Sequence, residues 1–211
     1  MLHGGRQGQG GFVGVPDTSR GRRAHRGLRR GQSIERLGLA VKPGRHSSGE
    51  RGSRTGDSAR NPGFIDKFVL VPCDAQGKPL QPVNGMSAQL LAACAQSADL
   101  YRRIGYDPPW VSYVATDSGE GVGGGAFVGA PKDGLVEIAY FTVDPLQGRG
   151  YATRTAHGLV AIARQAAPGI GIKALTLPEV NASTRILVRL GFRHVGMAHD
   201  VDAGEVWEWR A

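Results

Sequence analysis

Cysteine is scarce: Cys73 and Cys94 are the only two in 211 residues. Two thiols cannot brace a fold with a disulfide framework. No Cys/His run has zinc spacing, so no metal is expected. Aromatics make up 7% of the chain, and Phe12 is the only one in the first 60 residues. No apolar run reaches the ~18 residues that a membrane-spanning helix needs, so no membrane is expected. The N-terminus lacks the apolar core of a secretory signal, which leaves the reducing cytoplasm as the expected compartment.

Glycine and basic residues are abundant but unevenly placed. Residues 1–60 hold 13 Lys/Arg against 4 Asp/Glu and carry 14 of the 33 glycines. The remainder holds 13 basic and 14 acidic residues, so the formal net charge of +8 belongs to the first 60. Such a composition cannot bury enough apolar surface to offset chain entropy. Residues 1–61 are therefore expected to be a disordered Arg/Gly-rich basic tail, with one helical turn available at Ser33 to Lys42. The tail is either an inert extension, a contact for RNA, DNA or an acidic surface, or a targeting segment. Residues 62–211 are expected to form one folded domain.

Within that domain the pattern alternates between β-rich and helical stretches. Phe64 to Pro72 reads as a strand. Ser87 to Tyr101 reads as a helix, with Ser87 as N-cap, Gly105 as stop, and Leu90, Leu91, Cys94, Ala98 and Tyr101 on its apolar face. Trp110 to Thr116, Val122 to Gly129 and Leu135 to Val143 read as three strands joined by turns, the last apolar on both faces and hence central. Gly150 to Ala166 is a helix whose Gly158 implies a close packing contact. Ile172 to Leu177 is a strand, Asn181 to Leu190 a short helix, and Phe192 to Ala198 and Val206 to Trp209 two final strands. Three consecutive strands on short turns pair antiparallel, and the strand–helix–strand units after them call for parallel pairing. The fold class is α/β: a mixed, mostly antiparallel central sheet flanked by helices.

The densest chemical signal is the loop after the third of those consecutive strands, Gln147-Gly148-Arg149-Gly150-Tyr151-Ala152-Thr153. Glycines at 148 and 150 let backbone N–H groups approach a ligand. They open a helix, whose N-terminus favours anions, and Arg149 adds a positive charge. The Gly-Lys-Ser/Thr ending of a Walker loop is missing, so a nucleoside triphosphatase is not expected. Gly119 to Gly124 matches a dinucleotide-binding fingerprint letter for letter. It precedes a strand rather than a helix, which excludes that reading.

Glu137 stands out in a strand otherwise made of Leu, Val, Ile, Ala, Tyr and Phe. Desolvation there raises a carboxylate's pKa toward neutrality, which suits a general base. The competing arrangement is a glutamate at a sheet edge, or one paired with an arginine such as Arg102.

These residues resemble the GNAT N-acetyltransferase superfamily, whose pyrophosphate loop reads Gln/Arg-x-x-Gly-x-Gly/Ala. Gln147 to Ala152 match it in full. Asn181-Ala-Ser183 followed by Leu190-Gly191-Phe192 resembles a helix of the branch that includes ribosomal-protein N-terminal acetyltransferases, although Asn here stands two places before Ser rather than three. The resemblance covers residues 64–211. It implies acetyl-CoA as co-substrate, with its pantetheine arm alongside Tyr140, Phe141, Thr142 and Val143. It further implies pyrophosphate contacts from Gly148 to Thr153, Asn181 among the cofactor-binding residues, and Ser183 hydrogen-bonding or protonating the departing thiolate. The acceptor is then a primary amine, either a small molecule, an amino-acid derivative or a protein N-terminus, and a homodimer is left open. Two alternatives from other classes are a non-catalytic acyl-CoA-binding module and a nucleic-acid-binding protein acting through the tail.

Other residues carry weaker signals. His157 reads as a packing or surface residue, and His194, His199 and Asp200 as solvated. Trp207 and Trp209 share one strand face and read as core or groove wall. Tyr106 and Trp110 are candidates for the acceptor groove or for packing.

Overall fold

A computed structural model describes residues 67–211. The expected tail, and the first residues of the expected strand from Phe64, lie outside the described residues. Seven strands form one sheet in the order β1-β2-β3-β4-β5-β7-β6. They are β1 (Phe68–Pro72), β2 (Ser112–Asp117), β3 (Glu120–Phe127), β4 (Leu135–Thr142), β5 (Gly171–Thr176), β6 (Arg193–Asp200) and β7 (Gly204–Arg210). Three helices, α1 (Ala88–Ile104), α2 (Tyr151–Ala166) and α3 (Ala182–Arg189), connect them. Among the described residues no helix is long and apolar enough to cross a membrane.

β1 to β4 pair antiparallel in chain order; short turns join β2, β3 and β4, whereas α1 lies between β1 and β2. β4, apolar on both faces, is the fourth strand of seven. The expectation of repeated parallel pairing holds only once, at β4 and β5. β7 inserts between β5 and β6 and pairs antiparallel with both. The reason lies in the last turn: β6 extends through His199 and Asp200, farther than its apolar pattern suggests. The Asp200 carboxylate accepts the N–H groups of Asp202 and Ala203 at 3.1 and 2.9 Å, closing a tight hairpin. Asp200 is thus 2% exposed rather than solvated, whereas His194 and His199 are exposed.

Helix α1 starts at Ser87, whose hydroxyl accepts the Leu90 N–H, and stops at Gly105. Its buried residues are Leu90, Ser97, Leu100 and Tyr101; Leu91, expected on that face, is exposed. Leu91 lies one step round the helix from Leu90, outside the stripe that the sheet covers. α1 covers one sheet face, where Leu90 meets Val114, Ala126, Phe141 and Val143. α2 covers the other, where Leu159, Val160 and Ala163 meet Val136, Ile138 and Ile172.

Glycines set the closeness of these layers. A Cβ on Gly158 would lie 2.6 Å from Leu70 Cδ1, the tight contact that its position in α2 implies. A Cβ on Gly125 of β3 would lie 2.8 Å from Thr155 and 2.9 Å from Leu159, both on α2. The glycine run of β3 therefore serves packing. Tyr106 and Trp110 also pack: Tyr106 donates to the Cys73 carbonyl at 3.0 Å, and Trp110 meets Phe127 edge-on. Trp209 is core, its Nε1–H donating to Thr176 Oγ1.

Candidate active site

The parallel pairing of β4 with β5 is short. It comprises Leu135 with Gly171, Val136 with Ile172 and Glu137 with Lys173. Beyond Glu137, β4 runs on to Thr142 with β3 on one side and no strand partner on the other. Successive residues of a strand aim their N–H and C=O groups to alternate sides. The Glu137 carbonyl accepts from Val128, and the Val143 N–H donates to Val122, both on the β3 side. Phe141, in phase with them, also points its backbone to β3. Tyr140 and Thr142 present theirs to the gap.

A cavity of about 280 Å³ fills this gap. It brings together Tyr140, Phe141, Thr142, Gln147, Gly148, Gly150, Tyr151, Ala152, Thr153 and Ser183, all singled out from sequence. Tyr140 and Phe141 belong to opposite faces, so the cavity opens through the sheet. Thr142 Oγ1 is buried there without a hydrogen-bond partner.

The loop leading into α2 joins two left-handed glycines to an open helix start. Gly148 and Gly150 have φ of +78° and +84°. A Cβ on either would meet nothing within 4 Å, so conformation and not space demands glycine. Gly150 is the N-cap of α2 and no side chain caps it. The first N–H groups of a helix have no carbonyl four residues back, and here they face the cavity. Gln147 is held by its Nε2 donating to Asp144 Oδ1 at 3.1 Å. The Tyr151 hydroxyl donates to Asp117 at 2.9 Å, tying the start of α2 to the β2–β3 turn and raising that phenol's pKa.

α3 forms the facing wall. Asn181 is its N-cap: its side chain accepts the Thr184 N–H, and its own N–H donates to Thr184 Oγ1. Ser183 therefore does not cap the helix, and its side chain is a hydrogen-bond partner of the Tyr140 hydroxyl. The Tyr140 hydroxyl spans the gap, 3.5 Å from the Ser183 carbonyl. Burial pushes its pKa well above the usual phenol range.

Four expected residues sit apart from the cavity lining: Glu137, Val143, Arg149 and Asn181. Val143 has its N–H on Val122 and its carbonyl on Leu146, so the open backbone ends at Thr142. Arg149 is exposed at the loop tip, and Asn181 is engaged in capping. Gln89, Arg185, Ile186 and Arg189 line the cavity without having been singled out. Arg185 and Arg189, four residues apart on a short helix, share one face, and that spacing was the available signal.

Glu137 lies on the α1 face of β4, in phase with Ala139 and Phe141. Its side chain is 14% exposed, and its Oε2 is 2.9 Å from Lys173 Nζ. The pairing partner is thus the register neighbour on β5, not Arg102, which pairs with Asp99 on its own helix. Burial pushes the Glu137 pKa up, Lys173 pulls it down, and the carboxylates of Asp200 and Glu208 push it up; the net direction is upward. Among the described residues no group of three or more His, Cys, Asp or Glu is arranged to hold a metal ion.

Comparison with known proteins agrees with this architecture. The family model described as "Acetyltransferase (GNAT) domain" matches residues 81–193, more than half of the chain. No curated protein matches by sequence. Among solved structures, the ribosomal-protein-S5-alanine acetyltransferase from Vibrio fischeri is similar, with a TM-score of 0.51 at 12% identity, over 70% of this chain and 94% of that one. RimL, a ribosomal L7/L12 α-N-protein acetyltransferase solved in complex with coenzyme A, gives 0.50 at 16%, over 69% and 93%. A GNAT-family acetyltransferase from Bacillus anthracis gives 0.42 at 17%, over 47% of this chain and 64% of that one. At these identities the structural likeness is one of fold. The family match, spanning the split β4–β5 pair, the glycine loop and α3, places the chain in the GNAT acetyltransferase family of acyltransferase enzymes.

Proposed function

We propose that the protein transfers acetyl from acetyl-CoA to a primary amine by direct attack, with Glu137 as general base. The observation that carries this reading is the place where β4 leaves β5. One strand edge and one uncapped helix start meet there, and a desolvated carboxylate stands at the last register pair before the split.

The residues present fit the co-substrate. The free backbone groups of Tyr140 and Thr142 and the unpartnered Thr142 hydroxyl suit an extended amide-bearing arm. The N–H groups from Gly148 to Thr153 suit a diphosphate, and Gln147 holds the loop that presents them. Arg149 supplies exposed positive charge at that loop. Acetyl-CoA, when bound, supplies an activated acyl carbon on a thioester. Phe141 contributes its ring, since its backbone is engaged with β3.

An ammonium must lose its proton before it attacks. Glu137 accepts that proton directly or through water, its raised pKa bringing it nearer the working pH. The Ser183 hydroxyl, beside that of Tyr140, donates to the sulfur as the carbon–sulfur bond breaks. Asn181 acts at one remove, fixing the first turn of α3 and so the place of Ser183. The acceptor is a small amine, an amino-acid derivative or a protein N-terminus.

The test is thiol release from acetyl-CoA over a panel of amines, run beside a thermal-shift titration with acetyl-CoA. Stabilisation by acetyl-CoA together with amine-dependent thiol release is expected. Stabilisation without thiol release for any amine would favour a binding module. No stabilisation by any acyl-CoA would overturn both.

A further inference from the structure

Lys173 makes the ion pair that fixes Glu137. It occupies the last register position before β4 and β5 part. Its side chain is 31% exposed, so it stands at the rim of the seam rather than in the core.

The charges around Glu137 make this ammonium conspicuous. By register, Glu137, Lys173, Glu208 and Asp200 share one sheet face. Asp200 on β6 and Glu208 on β7 both act on Glu137 as like charges. Arg210 on β7 is held by Glu208, at 2.6 Å from its Oε1. Among the described residues, Lys173 is therefore the only cation paired with Glu137, against two carboxylates. The pair engages Oε2, and Oε1 makes no hydrogen bond among the described residues. One oxygen is anchored while the other stays available to an incoming ammonium or water.

We propose that Lys173 is a positioning residue for acetyl transfer: its ammonium holds the Glu137 carboxylate at the mouth of the seam and sets the pH above which that carboxylate accepts a proton. The proposal rests on the reading of Glu137 as base. An opposite charge at this distance favours the ionised carboxylate. Removing it leaves Glu137 beside Asp200 and Glu208 with burial alone, and both effects favour the protonated, inactive form.

The experiment is the pH profile of kcat/KM for the full chain, with acetyl-CoA and the best amine of the panel. It compares the wild type with Lys173→Met, Lys173→Arg and Glu137→Gln. Lys173→Met is expected to move the acid limb upward by about one pH unit or more. Its activity should recover toward the wild-type plateau at high pH, with KM for acetyl-CoA unchanged. Lys173→Arg should return the limb toward its original place. If Lys173→Met does not fold, Lys173→Gln carries the same measurement.

An acid limb that stays in place in the Lys173 variant, whatever happens to the plateau, would overturn the proposal. Glu137→Gln separates the two readings. If it abolishes the limb while Lys173→Met leaves the limb fixed, only the role of Lys173 fails. If the limb survives Glu137→Gln, Glu137 is not the base and both fail.

Discussion

The two halves of the sheet are built differently. From β1 to β4 every strand pairs with its chain neighbour along most of its length. The β5-β7-β6 half is equally well paired within itself. Between the halves stand three register pairs, Leu135 to Glu137 with Gly171 to Lys173. Continuous pairing satisfies backbone groups and buries side chains, which makes a scaffold. Interrupted pairing leaves backbone groups open, which makes a site. The candidate chemistry gathers where the ladder stops.

Perturbing each region should separate these roles. The largest effect on turnover is expected from Glu137→Gln, which removes the proposed base at the seam; kcat should fall roughly 10²–10⁴-fold, as read by thiol release. Because Glu137 has an upward-shifted pKa, the acid limb of wild-type kcat/KM should lie above the ordinary glutamate range: activity is lost as pH falls through that raised value and is full above it. A limb at the ordinary glutamate value would speak against desolvation at this site.

Gly150→Val comes next. A β-branched residue at φ +84° is strained, and the cost should appear as a higher KM for acetyl-CoA with folding retained by circular dichroism. Ser183→Ala should lower kcat by about tenfold, the scale of one hydrogen bond to a charged group, and leave the thermal shift with acetyl-CoA intact.

In the packed scaffold, Leu100→Ala on α1 should reverse the pattern. Leu100 is 2% exposed, so about 2–5 kcal/mol of stability should be lost in denaturant unfolding, while kcat per folded molecule holds. The smallest effect is expected from deleting residues 1–60, which should leave kcat/KM unchanged. A large loss there would mean that the described sheet does not carry the chemistry alone.

The contrast also explains what could be read from sequence. Alternation and turn residues announced β2, β3 and β4, because antiparallel neighbours joined by short turns are local in the chain. Ser87 and Gly105 marked both ends of α1 because capping is local too. The glycine loop was visible for the same reason: Gly148 and Gly150 declare their backbone conformation by residue type. The position of β7 between β5 and β6 was not legible, since it depends on a hairpin returning across the sheet. Nor was the partner of Glu137, because Lys173 is brought to it by β5, 36 positions along the chain. Arg185 and Arg189 escaped notice because nothing in a short helix says which side meets a cavity formed by another element.

The bare stretch of β3 has a consequence for the helix above it. Thr155 and Leu159 settle onto Gly125 at distances that leave no room for a methyl group. Any substituent there would act as a shim, lifting the middle of α2 off its bed. Tyr151, Ala152 and Thr153, which line the cavity, occupy the first turn of that same helix, so a lift in the middle is a tilt at the tip. A defect would then be felt first as weaker grip on the diphosphate proposed to sit there, a full layer away from the atom that caused it.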